Sequence, residues 1–517
     1  MPKPTTQTFD RLRELVAIED IGARESRPVL EAFSGTEMTT IPVGTADDVA
    51  TAVGMARGAQ KDWVQLWPKD RARILRRFAD LVDRNLDSLI DVVQAETGKA
   101  RAYAQEEVMD VAMTARHYAN IGPKLLKVRK AKGMLPGFTS TQVRYHAKGV
   151  VGVISPWNYP MTLAVSDAVA AIMAGNAVVI KPDSQTPYSA LAAAELMYEA
   201  GIPKDLFAVV PGPGSVVGQE ILARCDYLMF TGSTATGSAL AAAAGKRLIG
   251  FSAELGGKNP MIVTKSVPVD KAVEGAVRAA FSNSGQLCIS IERIYVEKPI
   301  ADEFIAKFAK RVKNMKLGAA YNFSTEMGSL ASQAQIDTVT AHVNDAVDKG
   351  ATVLAGGKAR PDLGPFFYEP TVLAGVTEDM TCFGNETFGP VVSVYPVDSV
   401  DEAIKLANNT DYGLNASVFT GDVDEGRRIA AEIHCGTVNI NEGYAAAWGS
   451  TDAPMGGMGV SGVGRRHGDD GLLKYTEPQT IAVQRIVGLG GIKGVPRSVF
   501  LKVEPYAVRL MKFLPGR

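Results

Sequence analysis

Cys288, Glu254 and Asn158 are the side chains whose types and settings could do chemistry together. Cys288 closes the stretch Phe281-Ser282-Asn283-Ser284-Gly285-Gln286-Leu287-Cys288. A thiolate attacks a carbonyl carbon well and later departs as a leaving group. Only ~3% of an unperturbed thiol is ionised at neutral pH, so a depressed pKa or help from a base is expected. A lone cysteine is by default a small buried hydrophobe. The glycine and amides before Cys288 suggest instead a loop that presents the thiol. Glu254, in Ala253-Glu254-Leu255-Gly256-Gly257-Lys258-Asn259, reads either as an ion-pair partner for a nearby lysine or as a base at a ligand-binding edge. Asn158, in Ser155-Pro156-Trp157-Asn158-Tyr159-Pro160, reads either as a helix N-cap or as an amide that donates to an oxyanion.

Other chemistries lack their residues. The five histidines (His117, His146, His342, His434, His467) show no metal-ligand spacing, so no metal is expected. No Gly-x-Ser-x-Gly elbow occurs. Gly212-Pro213-Gly214-Ser215-Val216-Val217-Gly218 approaches the dinucleotide fingerprint, but its last spacing is one residue too long. Lysines and arginines number 55 against 56 acids, a net charge of −1, which excludes a general electrostatic grip on nucleic acid. Four cysteines (Cys225, Cys288, Cys382, Cys435) in 517 residues, with no CxxC pair, are no disulfide scaffold and fit a reduced, cytoplasmic chain. The first residues, with Asp10, Arg11, Arg13 and Glu14, do not read as a secretory signal. Glycine, at 51 residues, is in excess of the usual ~7%.

The elements that must position these residues follow from pattern. Residues 50–120 read as helices, with Ile74, Phe78, Leu81, Val82 and Leu89 at helical spacing through Arg71–Ile90. Short apolar runs at Val150–Ser155, Ala177–Lys181, Leu206–Val210, Tyr227–Thr231 and Arg247–Phe251 alternate with helical stretches opening near Pro160, Pro187, Gly214 and Ser233. That alternation predicts an α/β fold with a doubly wound parallel sheet, which binds ligands at the carboxyl ends of its strands. A second α/β unit follows a boundary at 255–257. Its strands are expected at Ile294–Glu297, Val391–Val397, Ala416–Thr420 and Thr437–Ile440, and its helices at Ala301–Val312, Val400–Asn408 and Val423–Ile433. Lys124–Lys148, broken by Gly133, Pro136 and Gly137, and Leu472–Val487 fit neither unit. Their strands, Thr141–Tyr145 and Thr480–Arg485, are read as an arm that pairs across a subunit interface. Lys493–Arg517 is a basic amphipathic tail, six basic residues to one acid, interleaved with apolar residues as far as Leu514. It is expected to pack on its own subunit or a neighbour; contact with a membrane surface is the alternative.

Five motifs together resemble the NAD(P)-dependent aldehyde dehydrogenases. They are Phe281-x-x-x-Gly285-Gln286-x-Cys288, Glu254-Leu255-Gly256-Gly257-Lys258, Pro156-Trp157-Asn158-Tyr159-Pro160, Glu386-Thr387-Phe388-Gly389-Pro390 and Ser461-Gly462-Val463-Gly464-Arg465. They stand in the family's order with its 34-residue step from glutamate to cysteine, over about residues 45–480. The resemblance implies the aldehyde dehydrogenase fold. A dinucleotide-binding domain would take residues 1–123 and 149–255, joined by 447–471, and a catalytic domain 256–446. An oligomerisation arm would take 124–148 and 472–490, and the tail 491–517. It implies Cys288 as nucleophile, Glu254 as the base for hydrolysis, and Asn158 with the Cys288 N–H as oxyanion donors. Cofactor contacts would come from Trp157, Asn158, Lys181, Asp183, Ser184, Gly232, Ser233, Leu255, Glu386 and Phe388. Ser184 stands where NAD-preferring members often carry a glutamate that repels a 2′-phosphate, so NADP is expected, with NAD the alternative. The stretch from Lys181 resembles the NADP-linked succinate-semialdehyde dehydrogenases. The arginines that hold the substrate carboxylate in one branch fall here on Ser166 and Ser282, leaving Ser450 as a lone hydroxyl anchor. Tyr159, Trp448 and Met455 would make an apolar mouth suited to neutral aldehydes. Ser290 stands where some members carry a second cysteine, so their disulfide switch cannot form. The partners expected are a small aldehyde and further copies of the chain, as a homodimer or homotetramer.

Overall fold

A computed structural model of the chain describes residues 4–133, 139–485, 491 and 493–513. Pro136, Gly137, Val487, Leu514 and Arg517, which entered the expectations for the arm and tail, lie outside the described residues.

The first sheet is the expected parallel one. Its order is Gly462–Val463, Gly250–Glu254, Tyr227–Thr231, Val150–Ile154, Ala177–Lys181, Phe207–Val209. All neighbours run parallel except the short edge strand Gly462–Val463, which pairs antiparallel with Ala253 and Glu254. Helices cover both faces, so the inner strands must be apolar throughout. Every residue of Val150–Ile154, Ala177–Lys181 and Tyr227–Thr231 is buried. The fifth run is shifted from expectation. Arg247 ends the helix Thr234–Arg247, Leu248 turns the chain with φ 56°, and the strand is Gly250–Glu254 rather than Arg247–Phe251. This three-residue shift puts Glu254 on the last position of a strand, facing the ligand edge. The segment after Gly212 opens as a π-turn, Gly214–Gly218, before the helix Gln219–Arg224.

The helical expectation over Arg71–Ile90 is broken in the middle. Helix Pro68–Arg84 stops at Asn85, whose side-chain amide donates to the Leu81 carbonyl, and a new helix runs Leu86–Thr97.

Between Glu254 and Asn259 the chain passes into the second sheet, of seven strands. Their order is Thr352–Ala355, Thr371–Ala374, Val391–Val397, Ile291–Glu297, Asn259–Val263, Asn415–Phe419, Thr437–Ile440. Three of these, Asn259–Val263, Thr352–Ala355 and Thr371–Ala374, were not foreseen, nor were the helices Val269–Phe281 and Gln333–Asp348. The arm strands are longer than expected and pair with each other within one chain. Thr476–Gln484 lies antiparallel to Thr139–Ala147 over nine residue pairs, with Arg129–Ala131 on the far side. In the tail, Arg497–Leu510 is helical, and Val499, Val503, Tyr506 and Leu510 are exposed, so the described residues do not cover that apolar face. Among the described residues, no helix is long and apolar enough to cross a membrane.

Gly152, in the middle of the first sheet, lets the Gln219–Arg224 helix lie against the strand. A Cβ at Gly152 would collide with Ile221 and crowd Cys225. Overpacking of this kind costs about 1–3 kcal/mol. Gly152→Val is therefore expected to lower the melting temperature in a thermal scan, and an unchanged midpoint would refute this packing.

Candidate active site

Between the carboxyl ends of the first sheet's strands and the amino ends of the second's lies a cavity of ≈ 250 Å³. It is lined by Trp157, Asn158, Gly232, Ser233, Glu254, Leu255, Cys288, Glu386 and Phe388 among the residues singled out in sequence, together with Leu163, Thr231, Gly256, Gln335, Thr338 and Thr387. Lys181, Asp183 and Ser184 follow the Ala177–Lys181 strand two places across the sheet. Tyr159 and Trp448 fall on the other side, in an apolar cluster against Cys288.

The thiol is presented by a loop of unusual backbone. After helix Val269–Phe281, Asn283, Ser284 and Gly285 have φ of 49°, 57° and 70°. Left-handed backbone in non-glycine residues is uncommon and persists where surroundings hold it. Here Asn283 donates to the Asn158 and Gln286 carbonyls at 3.1 and 3.0 Å, and the Ser284 hydroxyl bonds the Gly328 and Ser329 carbonyls at 3.2 Å. Gly285 has no alternative, because a Cβ would run into the Gly389 carbonyl. Beyond the loop, the Asn259 amide holds the Cys288 and Ser290 carbonyls at 2.8 and 2.7 Å. The Ser290 hydroxyl is engaged by the Ala279 and Ala280 carbonyls. Cys288 itself is partly exposed and free, like Cys225, Cys382 and Cys435.

Asn158 is not the N-cap. Tyr159 takes that place before helix Pro160–Ala174, and the Asn158 amide donates to the Gln286 carbonyl at 3.1 Å. Its own carbonyl accepts from Lys99 Nζ at 2.7 Å. Lys99 and Glu107 form a fully buried ion pair at 2.5 Å, and Lys99 lies 3.8 Å over the Tyr159 ring. Glu107 in turn accepts the N–H groups of Met161 and Thr162, at the start of the helix that follows Asn158. Neither Lys99 nor Glu107 was singled out in the sequence. Nothing local marks a charge on a helical stretch as buried.

Electrostatically the cavity favours neutral groups. Burial, then the Glu386 and Glu254 carboxyls, push the Cys288 thiol up to about 12, which goes against a depressed pKa and leaves help from a base as the remaining expectation. A thiolate beside two acids is opposed more by burial and by their charge than it is favoured by Arg466. Burial raises Glu254 to about 7, with Arg466 and Lys474 holding it from going higher. Burial and the neighbouring Glu292 raise Glu386 to about 8, although it accepts the Gly257 N–H at 2.9 Å. The lysine near Glu254 in sequence, Lys258, pairs with Glu292 and not with Glu254.

The nucleotide side has the features a dinucleotide needs. Lys181 is buried, its ammonium bonded to the Pro182 carbonyl at 2.9 Å, and the Gly218 position lies against its side chain. The Ser184 hydroxyl reaches the Gly212 carbonyl at 3.3 Å, while Asp183 accepts the Gln185 N–H. Ser233 caps helix Thr234–Arg247, whose first N–H groups suit a pyrophosphate. Gly256 leaves room that any Cβ would fill, against the Glu386 carboxyl. The residues present therefore fit a nicotinamide dinucleotide.

At the opposite side Tyr159, Leu163, Leu287, Ile289, Leu414, Tyr444 and Met455 pack together, with Trp448 edge-on to Tyr159 at 5.5 Å. Ser450 is exposed and donates to the Ala446 carbonyl at 2.7 Å. Ser166 and Ser282 are buried and already hydrogen-bonded, to Asp110 and the Arg278 carbonyl respectively.

The aldehyde dehydrogenase family model matches residues 20–481. A protein of Mycolicibacterium smegmatis, provisionally named a succinate-semialdehyde dehydrogenase (NADP+), is 62% identical over 517 residues, all of both chains. The betaine aldehyde dehydrogenase of Bacillus subtilis is 36% identical over 87% of this chain and 92% of its own. The crystal structure of an E. coli NADP-dependent enzyme superposes with a TM-score of 0.85 at 33% identity, over 89% of this chain and 95% of that one. The chain belongs to the aldehyde dehydrogenase family.

Removing one partner of a buried ion pair leaves an uncompensated charge, at a cost of roughly 3–5 kcal/mol. Lys99→Met is expected to lose about that much stability in urea titration, and the double variant Lys99→Met/Glu107→Gln to recover part of it. Equal stability of the single variant and the wild type would show that the pair does not hold this site together.

Proposed function

We propose that the protein oxidises an aldehyde to a carboxylic acid with NADP, and that succinate semialdehyde is its substrate. The observation that carries the reaction is Cys288 and Glu254 lining one cavity with the Asn158 amide. The substrate rests on the mycobacterial relatives' provisional name and on their identity over the whole chain.

In this reading the Cys288 sulfur bonds to the aldehyde carbon, and the thiol proton passes to a base. With the thiol raised to about 12, a free thiolate is scarce, so proton removal must accompany attack. Glu254, at about 7, is half ionised at neutral pH and suited to take that proton. Asn158, released from the Gln286 carbonyl, and the Cys288 N–H hold the oxyanion, each worth roughly 3–4 kcal/mol. When bound, the nicotinamide supplies the hydride acceptor that turns the tetrahedral carbon into a thioester. Glu254 gives up the thiol proton to solvent, then takes a proton from water as the water oxygen attacks the thioester carbon. The C–S bond breaks, acid leaves, and the sulfur regains a proton. Trp157, packed edge-on to Phe388 at 5.4 Å, and Leu255 give the nicotinamide end its apolar wall. Lys181, Asp183 and Ser184 take the adenosine end, Gly232 and Ser233 the pyrophosphate, and Glu386 the nicotinamide ribose.

A second reading has its own support. With Ser166, Ser282 and Ser450 all engaged within the protein, the mouth around Tyr159, Trp448 and Met455 offers apolar contact, which favours a neutral aliphatic or aromatic aldehyde.

The deciding measurement is kcat/KM with NADP for succinate semialdehyde, glutarate semialdehyde, hexanal and benzaldehyde, with Cys288→Ala as the inactive control. The expected order puts succinate semialdehyde first. A neutral aldehyde ahead of it tenfold would transfer the assignment to the second reading. On the cofactor, a carboxylate at 184 would repel a 2′-phosphate by about 4 kcal/mol at short range and an effective dielectric of ~20. Ser184→Glu is expected to cut kcat/KM for NADP at least tenfold while sparing NAD; an unchanged ratio would overturn the NADP reading.

The arm is proposed to join subunits into a homodimer or homotetramer, because Thr476–Gln484 stands at a sheet edge with most of its side chains exposed. Sedimentation velocity is expected to show no monomer at micromolar concentration, and a monomeric boundary there would refute this.

A further inference from the structure

Beside Glu254 lies a buried cluster of charges that the steps above do not use. Its centre is Asp167, on helix Pro160–Ala174 and 2% exposed. One carboxylate oxygen accepts from Arg466 Nη2 at 2.8 Å, and the other from Lys474 Nζ and the Tyr475 hydroxyl, both at 2.9 Å. Arg466 also donates to the Thr231 hydroxyl at 3.3 Å, at the end of the strand next to that of Glu254. Two cations against one carboxylate leave the cluster with an excess positive charge. Moreover, Arg466 Nε is buried without a hydrogen-bond partner.

The backbone ties this charge to Glu254. Arg466 and Met455 exchange N–H···O bonds at 2.8 Å in both directions, closing the segment between them. The residue after Met455 is Gly456, with φ 156°, and a Cβ there would stand 3.1 Å from Glu254 Oε1. From the same segment Gly462 and Val463 pair with Glu254 and Ala253, and the Leu255 N–H bonds the Ser461 carbonyl at 2.9 Å. Thus one loop both seats the Glu254 carboxyl and carries Arg466. Among the described residues the Glu254 carboxylate accepts no hydrogen bond, so its ionised form relies on charge at a distance.

We propose that Arg466, clamped by Asp167, is a positioning residue that keeps the buried Glu254 carboxylate available as a base at neutral pH. The proposal rests on Glu254 being the base for thioester hydrolysis. Burial disfavours the ionised carboxylate. Arg466, Lys474 and Arg465 oppose this, while Asp167 and the Cys288 sulfur face it from the helix and the thiol loop. The sign follows directly. Loss of Arg466 raises the Glu254 pKa, so hydrolysis at neutral pH falls and recovers as pH rises. Loss of the Asp167 charge, with its shape kept, leaves Arg466 and Lys474 unneutralised and lowers it.

The test is the pH dependence of acyl-enzyme hydrolysis in the full chain with NADP, read by rapid quench after the NADPH burst. Arg466→Met is expected to move the acid limb up by at least one pH unit, a tenfold loss below it, with KM for NADP within twofold of wild type. Arg466→Lys should return at least half of that shift. Asp167→Asn should move the limb down. Opposite shifts from two partners of one ion pair are not what mere loss of structure produces. A limb that stays put in folded Arg466→Met and Asp167→Asn, or moves the same way in both, overturns the proposal. Glu254→Gln separates the two ideas: if the limb survives it, Glu254 is not the base and the underlying reading fails, whereas its loss there with no shift at Arg466 defeats this inference alone.

Discussion

The site hangs on a buried ion pair whose members belong to neither of the two large sheets. Lys99 leaves the end of one helix and Glu107 rises from the next, and together they fix Asn158. The ammonium holds the Asn158 carbonyl, and the carboxylate caps the helix beginning two residues later. With its backbone fixed on one side, Asn158 offers its amide to the loop that carries Cys288, and Asn283 of that loop returns a bond to the Asn158 carbonyl. A strand end of the first sheet and the thiol loop of the second unit are thereby held in register by five hydrogen bonds and one salt bridge. Desolvating two charges is expensive, so such a pair makes sense where the geometry it sets is worth more than the stability an apolar pair would give.

The same burial that makes the frame rigid sets the chemistry. A carboxylate or thiolate in a cavity of this size loses most of its hydration, and each acid in the cavity is pushed toward its neutral form. Glu254 and Glu386 also act on Cys288, so ionising any one of the three discourages the others. A resting thiol with a high pKa is a poor target for adventitious electrophiles and oxidants. In the proposed reaction, reactivity then depends on how the proton leaves as the carbon arrives, which ties the nucleophile to the base more closely than a preformed thiolate would.

Much of this was legible in residues. Parallel strands covered on both faces are apolar along their length, so Val150–Ile154, Ala177–Lys181 and Tyr227–Thr231 were readable as runs. Gly250–Glu254 was misplaced because the helix before it ends on Leu248 in left-handed backbone, a place where glycine ordinarily gives the signal. Asn259–Val263 was missed because Pro260 argues against a central strand, yet it pairs with strands on both sides. Of the nine predicted residues that line the cavity, seven lie in the five motifs, and Gly232 and Ser233 were read where a helix opens after a strand. Lys99, Glu107, Asp167 and Arg466 were not, since ion pairs between residues up to 299 positions apart are a product of packing. Whether Cys288 would have a depressed pKa or need a base stayed open for the same reason: a loop's sequence shows its amides but not which acids the fold brings beside it.

The substrate end shows how local absence and global packing must be read together. Serines at 166 and 282 signalled two missing cations, and the fold adds that neither hydroxyl is free. Ser166 bonds a carboxyl, Asp110, which burial raises to about 6, so a substrate carboxylate brought there would meet an acid rather than a guanidinium. Near Ser282 the guanidinium of Arg278 is held by Glu106 at 3.1 Å, and Glu106 also accepts the Tyr444 hydroxyl at 2.9 Å. A charge-assisted bond is roughly twice as strong as a neutral one, and none is on offer here without breaking another. Discrimination among aldehydes must then come chiefly from the shape of the apolar wall of Tyr159, Leu163, Tyr444 and Met455. Walls of that kind separate substrates by about 1–3 kcal/mol per methylene. In the proposed reaction thiol, amide and base act on any aldehyde carbon that reaches them, so what the chain oxidises would be decided by what its mouth lets through.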